Sequence, residues 1–308
     1  MTFLQEILRR FPIRKTAEQK DAFLKYALGA ARKMGYEARI EENGRHRNFA
    51  AGDPETAEII FAAHYDTPAA KLLPNLIIPR NVPLFLLYHG AVVLILFAVS
   101  FGVGYLSFLL TGERRLTLIV FLLAYYALLM LLTAGPANRQ NANCNTSGVA
   151  VLLQLMQRIP AEQRSQAAFL LFDNGEQGRL GSRAYAARHP EIKKRTPVLN
   201  LDCVGVGDHL LIGVKNFARA TFAYGFVQQA FQGMKGPAVH FYPNSGCILH
   251  SDHQSFRCGV TVTACKRRRI IGFYTPDLHT RRDTRADQGN IDSLTETLAE
   301  VVKSLAEN

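Results

Sequence analysis

Two stretches of this 308-residue chain are almost free of charge. Pro83 to Leu110 contains no Asp, Glu, Lys or Arg and includes His89, and Leu116 to Gly135 is again uncharged. Each run reaches the roughly 20 apolar residues that cross a bilayer. A pair of core helices in a soluble protein is the alternative. Buried core helices rarely lack a polar face over such a length, and here two such runs succeed one another. The expectation is a transmembrane helical hairpin over 82–135. Gly112-Glu113-Arg114-Arg115 between the runs is long enough only to reverse the chain, so both flanks lie on one side. Met1 to Lys15 is interrupted by Glu6, Arg9 and Arg10 and does not read as a secretory signal. A basic, signal-free upstream segment is hard to translocate. Local charge bias is weak, with Lys71, Arg80 and Arg139 set against Arg114 and Arg115. The upstream segment therefore decides for a cell-membrane protein with its body and both termini cytoplasmic.

The formal charge is +11, much of it in clusters such as Lys193-Lys194-Arg195 and Lys266-Arg267-Arg268-Arg269. Such a balance suits nucleic acid or an anionic membrane surface. No helix-turn-helix, zinc-finger spacing or RNP-like motif is present, so nucleic acid is not an expected partner, and the lipid bilayer is. The five cysteines, Cys144, Cys203, Cys247, Cys258 and Cys265, include no Cys-x-x-Cys pair. An odd number without such spacing suits a reducing compartment.

Outside the hairpin, strand-like and helix-like segments alternate, which implies an α/β class. Thr16-x-x-Gln19 reads as a capping box opening a helix to about Met34, and Gly35 as its stop. Tyr36–Glu41, Asn48–Ala51, Ile59–Ala63, Ala167–Phe172, Pro197–Leu201, Val239–Tyr242 and Val260–Ala264 read as strands. Val149–Ile159, Ser182–His189 and Asp292–Leu305 read as helices. The expected division is a first body segment at 1–81, the hairpin at 82–135 and a second body segment at 136–308.

Three apolar strands end in groups able to bind a cation. Ile59-Ile60-Phe61-Ala62-Ala63 runs into His64-Tyr65-Asp66-Thr67. The second strand runs into Asp173-Asn174-Gly175-Glu176, and the third into Asp202. A strand buried on both faces belongs to a parallel or mixed sheet, and ligands bind beyond the carboxyl ends of such strands. Alternation turns His64 and Asp66 to one side, and a metal-bound imidazole commonly gives its other nitrogen to a carboxylate. A capped strand end with a satisfied histidine is the competing reading. His279 adds a second imidazole from a late loop. Mixed imidazole and carboxylate donors suit zinc or another divalent first-row metal.

These segments, in order, resemble the motifs of the di-zinc aminopeptidase family, which includes bacterial leucyl aminopeptidases, glutaminyl cyclases and glutamate carboxypeptidases. The resemblance rests on Phe61–Thr67, Asn143-Cys144-Asn145-Thr-Ser-Gly148, Phe169–Ser182, Asn200-Leu-Asp202-Cys-Val-Gly205, Ser251–Phe256 and His279–Thr284. It implies a mixed, mostly parallel sheet sandwiched by helices, interrupted by the hairpin, and removal of an N-terminal residue from a peptide substrate. It implies His64 and Glu176 on one zinc, Asp202 and His279 on the other, and Asp66 orienting His64. A single ion, or another divalent metal, is also compatible.

Two positions depart from the family pattern. Cys144 stands where the family has an Asp bridging the metals, and a thiolate can bind zinc. It can equally be a small buried hydrophobe. Gly175 stands where the family has its general base, and the adjacent Glu176 is the ligand. Asp173 is the nearby carboxylate that could stand in for the missing base. Two functions are compatible with this pattern: a membrane-anchored metallo-aminopeptidase, or a pseudoenzyme that binds a peptide or partner on the same fold. A third class is a structural membrane protein that sits on anionic lipid through Lys266-Arg267-Arg268-Arg269, although such a charge run is more commonly a solvated face.

Overall fold

The computed structural model describes every residue except Leu72 and Pro74. Helices α1 (Phe3–Arg10) and α2 (Ala17–Lys33) open the chain, followed by strands β1 (Ala38–Asn43), β2 (His46–Ala51) and β3 (Ile59–His64). The long helices α3 (Val82–Thr111) and α4 (Arg114–Ala134) interrupt the body. Then come α5 (Gly148–Arg158), β4 (Ala167–Phe172), α6 (Leu180–Arg188), α7 (Pro190–Arg195), β5 (Val198–Leu201), β6 (His209–Val214), α8 (Phe222–Gln232), β7 (Ala238–Pro243), β8 (Gly259–Arg268), β9 (Gly272–Tyr274) and α9 (Gln288–Ala306). The Thr16–Gln19 capping box forms, and Gly35 follows α2 at φ +81°, a conformation that favours glycine.

The strands run in the order β1-β2-β4-β3-β5-β8-β6-β7, with β9 beside β8. β4, β3, β5 and β8 are mutually parallel, whereas β1, β2 and β6 pair antiparallel to their inner neighbours. This is the mixed, mostly parallel sheet expected. Alternate residues of β3 and β4 feed two cores. Ile59, Phe61, Ala63, Phe169 and Leu171 pack toward α2, α5, α8 and α9, while Ile60, Ala62, Leu170 and Phe172 pack toward α6 and α7. Burial on both faces explains why these strands read as unbroken apolar runs.

α3 and α4 are long and apolar enough to cross a membrane, and their apolar windows are not buried within the protein. They meet through small residues. Ser100 and Gly104 are buried, and a Cβ on Gly104 would stand 3.0 Å from Phe121 Cβ. Such spacing lets helix backbones approach in the absence of a polar seam. The reversal is tighter than the four residues expected. Gly112, at φ +71°, and Glu113 complete it, and Arg114 and Arg115 already belong to α4. Two further expectations change. Pro190 ends α6 but also starts α7, since proline at the first helical position loses no hydrogen bond. The last helix begins at Gln288, with Asp287 accepting from Gly289 N and Asn290 N as its cap.

Candidate metal centre

The chain leaves β3, β4 and β5 at the same edge of the sheet, and the side chains expected to bind metal gather there. His64 closes β3, Glu176 lies in the turn after β4, and Asp202 follows β5 directly. Cys144 comes from the irregular turn before α5, and His279 from the loop after β9. Donor atoms of His64, Cys144 and Asp202 all lie within 4.8 Å of one another, as do those of Cys144, Glu176 and His279. Cys144 is common to both groups.

The geometry groups these side chains differently from the expected pairing of His64 with Glu176 and Asp202 with His279. Glu176 Oε1 lies 3.1 Å from His279 Nε2 but 4.0 Å from His64 Nε2, which is 3.8 Å from Asp202 Oδ1. The loop carrying His279 draws Glu176 to its own side and leaves Asp202 with His64. Cys144 Sγ sits between them, 3.3 Å from His279 Nε2 and 3.5 Å from Glu176 Oε1.

Asp66 stands behind His64. Its Oδ1 is 3.2 Å from His64 Nδ1, and its two oxygens accept from Gly175 N at 2.8 Å and Glu176 N at 3.2 Å. One carboxylate thus fixes both the imidazole and the turn that carries Glu176. Burial works against charge on Asp66, but His64, Lys20 and the Gly175 N–H outweigh it and hold the carboxyl below its ordinary value. Glu176 is likewise lowered against burial, first by His279 and then by His64. Asp202 is lowered against burial by His64, Cys203 and Ser251. The Cys144 thiol is pulled down first by its hydrogen bond from Cys203 and also by His279, against burial and Glu176. The acids and the thiol are thus held toward their ionised forms. The same neighbours outweigh burial to raise His64 through Asp202 and Asp66 and to push His279 up to about 10 through Glu176 and Cys144, so a cation entering the cluster would displace imidazole protons.

Asp173 is not part of the cluster. Its Oδ1 pairs with Lys20 Nζ at 2.6 Å and its Oδ2 accepts from Arg47 N, both inside the body. A strand end turns consecutive residues to opposite faces, and the turn carries Glu176 toward His279 while Asp173 faces α2. The expected substitute base is thus a structural ion pair. Gly175 has its own constraint: a Cβ there would come within 2.6 Å of His64 Cγ, so the backbone of this turn lies against the imidazole.

Several positioning residues carry roles that the sequence alone does not reveal. Arg14 is fully buried and donates to Tyr65 O (2.5 Å), Phe11 O (2.8 Å) and Thr146 Oγ1 (2.8 Å), joining the segments that carry His64 and Cys144. Burial lowers its pKa to about 10, which leaves it charged at neutral pH. Asp283 accepts from Asn143 N at 2.7 Å and Cys144 N at 3.0 Å, pinning the cysteine. Asn145 bridges to Leu201 O and Cys203 N, tying the cysteine turn to the Asp202 turn. Asp283 and Asn145 fall within the family-like motifs, so their positions are visible in the sequence though their roles are not. Arg14 carries no signal at all.

The cluster forms the floor of a cavity of about 140 Å³. Arg179 and the segment His250-Ser251-Asp252 supply part of its wall, and Phe85 and His89 from the first turns of α3 supply another. His89 Nδ1 is 2.9 Å from Phe85 O, an arrangement that directs the Nδ1 proton to that carbonyl and leaves Nε2 without a hydrogen bond among the described residues.

Comparison with protein families matches residues 132–302 to peptidase family M28, more than half of the chain. The chain belongs to peptidase family M28. No curated protein matches it. Among solved structures, it is similar to a glutaminyl cyclase of Porphyromonas gingivalis at 17% identity and TM-score 0.59, covering 98% of this chain and 96% of that one. It is also similar to a leucine aminopeptidase precursor of Bacteroides thetaiotaomicron at 14% identity and TM-score 0.59, covering 97% and 94%. A Zn-dependent exopeptidase of Parabacteroides distasonis is 15% identical at TM-score 0.58, covering 97% and 95%. At such identities the likeness is one of fold. The M28 match begins within α4, so the sheet edge with Cys144, Glu176, Asp202 and His279 lies inside it, and His64 and Asp66 precede it.

Proposed function

We propose that this protein is a membrane-anchored metallo-aminopeptidase whose site holds two divalent cations, zinc foremost. The observation that carries this reading is the convergence of five ligand-type side chains, from five separate segments, into two groups sharing Cys144. The donor chemistry fits: two imidazoles, two carboxylates held ionised and a thiol with a lowered pKa are the ligands zinc takes. His64 and Asp202 would hold one ion, Glu176 and His279 the other, and Cys144 would contact both. Ions there would supply a Lewis acid that polarises a peptide carbonyl.

This chain's own residues must then manage the proton. No carboxylate stands at position 175, and Asp173 is committed to Lys20. His89 lines the cavity with its Nε2 unbonded among the described residues, and we assign it the acceptor role for the proton of the attacking water. Asp66 keeps His64 oriented throughout. Phe85 and His89 of α3 wall the cavity, and substrate would approach at the base of the hairpin, with 1–81 and 136–308 forming one body around the insertion.

The neighbours include a glutaminyl cyclase as well as aminopeptidases. A fold does not choose between their reactions. Binding without turnover is a second reading, favoured by Gly175 in place of a base. The decisive experiment combines metal analysis of the detergent-solubilised protein with product analysis on aminoacyl-anilides and on peptides with N-terminal glutamine. Retained zinc, anilide release that disappears in His64→Ala, and a loss of about 10²–10⁴-fold in His89→Ala at unchanged metal content are expected. Failure to retain zinc, cobalt or manganese overturns the metal centre. Retained metal with background turnover in every form supports the binding-only reading. Loss of ammonia from the glutaminyl peptide supports cyclisation.

A further inference from the structure

The β8–β9 hairpin ends at the level where α3 begins. The segment entering α3 runs alongside β9: Thr275 N donates to Ile77 O at 3.1 Å, and Asn81 Nδ2 donates to Ile271 O at 3.4 Å. That pairing places the turn at 269–271 beside Asn81, the N-cap of α3. It also sets the turn level with Val82, where the exposed apolar surface of that helix starts.

The turn has an unusual surface. Ile270 is 87% exposed, more than any other large apolar side chain among the described residues. Lys266, Arg267, Arg268 and Arg269 precede it, all exposed, and no acidic residue occurs between Gly259 and Pro276. None of the four cations forms an ion pair with a carboxylate among the described residues. Arg267 lies 5.2 Å from the centre of the Phe273 ring and Arg268 5.8 Å from that of Tyr274, so their stems are held along the strands. Asp208 and Asp287 line a groove of about 750 Å³ together with Lys266, Arg267, Arg268 and Arg285, and Arg269 and Ile270 stand outside that lining.

We propose that this tip is a second membrane contact, specific for anionic lipid. Ile270 enters the boundary between headgroups and acyl chains, and Lys266, Arg267, Arg268 and Arg269 take the phosphate oxygens of acidic lipids. The inference rests on the reading that α3 and α4 cross a bilayer. The charge is complementary, since arginine forks bind phosphate bidentately and basic residues beside a membrane helix are drawn to acidic leaflets. An apolar side chain at a cationic tip is otherwise left in water without a partner. The contact would fix the tilt of the body and hold the mouth of the cavity, walled by Phe85 and His89, against the lipid surface.

The chain contains no tryptophan, so a single introduced indole reports alone. Three full-length variants are compared in vesicles of phosphatidylcholine with and without phosphatidylserine, using acyl-brominated lipid as quencher. Ile270→Trp reports the tip, Leu106→Trp the hairpin, and Phe217→Trp, near the start of β8, the distal end of the body. Expected is strong quenching of Leu106→Trp, blue-shifted and quenched emission from Ile270→Trp that increases several-fold with phosphatidylserine, and no quenching of Phe217→Trp. Exchanging Arg267, Arg268 and Arg269 for Gln in the Ile270→Trp background removes the phosphatidylserine dependence. A quenched Leu106→Trp beside an unquenched, red-emitting Ile270→Trp overturns the tip contact and leaves the hairpin standing. An unquenched Leu106→Trp overturns both.

Discussion

Ile60 and Leu94 are both aliphatic residues within apolar runs, yet Ile60 is fully buried in β3 and Leu94 is 70% exposed on α3. The difference lies in how each run is built and where it stops. The β3 run is short and ends in His64 and Asp66, so the sheet must cover it on both faces and deliver polar groups to its edge. The α3 run continues for 30 residues with no polar face, and among its described residues only Ser100 and Gly104 are buried. Apolar sequence therefore states a demand for cover, which the sheet and helices of the body meet for β3 and which none of the described residues meets for most of α3.

The sharpest way to break this contrast is to make the same kind of deletion on both sides. Phe169→Ala, in the middle of β4, should cost about 3–5 kcal/mol in chemical denaturation of the detergent-solubilised protein. Leu94→Ala should leave that transition within about 0.5 kcal/mol. Equal losses would show that α3 belongs to the folding core of the body. The reciprocal change comes next. Leu94→Arg places a charge near the middle of α3 and should raise the cost of insertion by up to about 3.5 kcal/mol, seen as loss from the membrane fraction. A variant recovered in that fraction as fully as the parent would refute a spanning α3.

A third substitution sharpens the boundary between catalysis and support within the body. Asp173 and Lys20 form a buried pair at 2.6 Å, and Lys20 Nζ also donates to Asn174 Oδ1 at 2.6 Å. Asp173→Asn should cost about 3 kcal/mol, because it leaves a buried ammonium without its counter-ion. Metal content should not change. Lost metal at unchanged stability would return Asp173 to the site.

How far the chain can be read from its letters obeys the same division. Strands ending in ligands are legible because burial and chemistry sit in adjacent residues, as in Ala63-His64 or Leu201-Asp202. The hairpin is legible by length alone. The pairing of ligands is not, because His64 stands at nearly equal distance from Glu176 and Asp202, and only the path of the His279 loop separates them. α8 buries a single narrow stripe, Ala223, Val227 and Phe231, too thin to mark a helix among its glycine and glutamines. β9 is three residues long and owes its conformation to β8. Arg14 has no local signature, since all the groups it bonds except Phe11 O come from distant segments. His89 stands out as the exception in an apolar run, but its place in the cavity depends on where α3 is planted.

The smallest effect concerns a histidine held neutral by the body. His253 is fully buried beside β8, with Nε2 2.7 Å from Asn244 Oδ1 and Nδ1 without a partner. Burial, aided by Lys215, Arg179 and His250 and opposed by Asp202, pushes its pKa down to about 3. A depressed value means that the unfolded chain takes up a proton, below about pH 6.5, that the folded chain refuses. The stability from this group is complete above that pH and is lost as pH falls toward 3. Each pH unit in that window is worth about 1.4 kcal/mol, so moving from pH 7.5 to pH 5 should remove about 2 kcal/mol. His253→Gln keeps a side chain able to bond Asn244 but takes up no proton, so its stability should fall less over the same interval by that amount. Parallel profiles for the two proteins would mean that His253 is solvated in the folded state, and that the loop before β8 opens to water more readily than its packing implies.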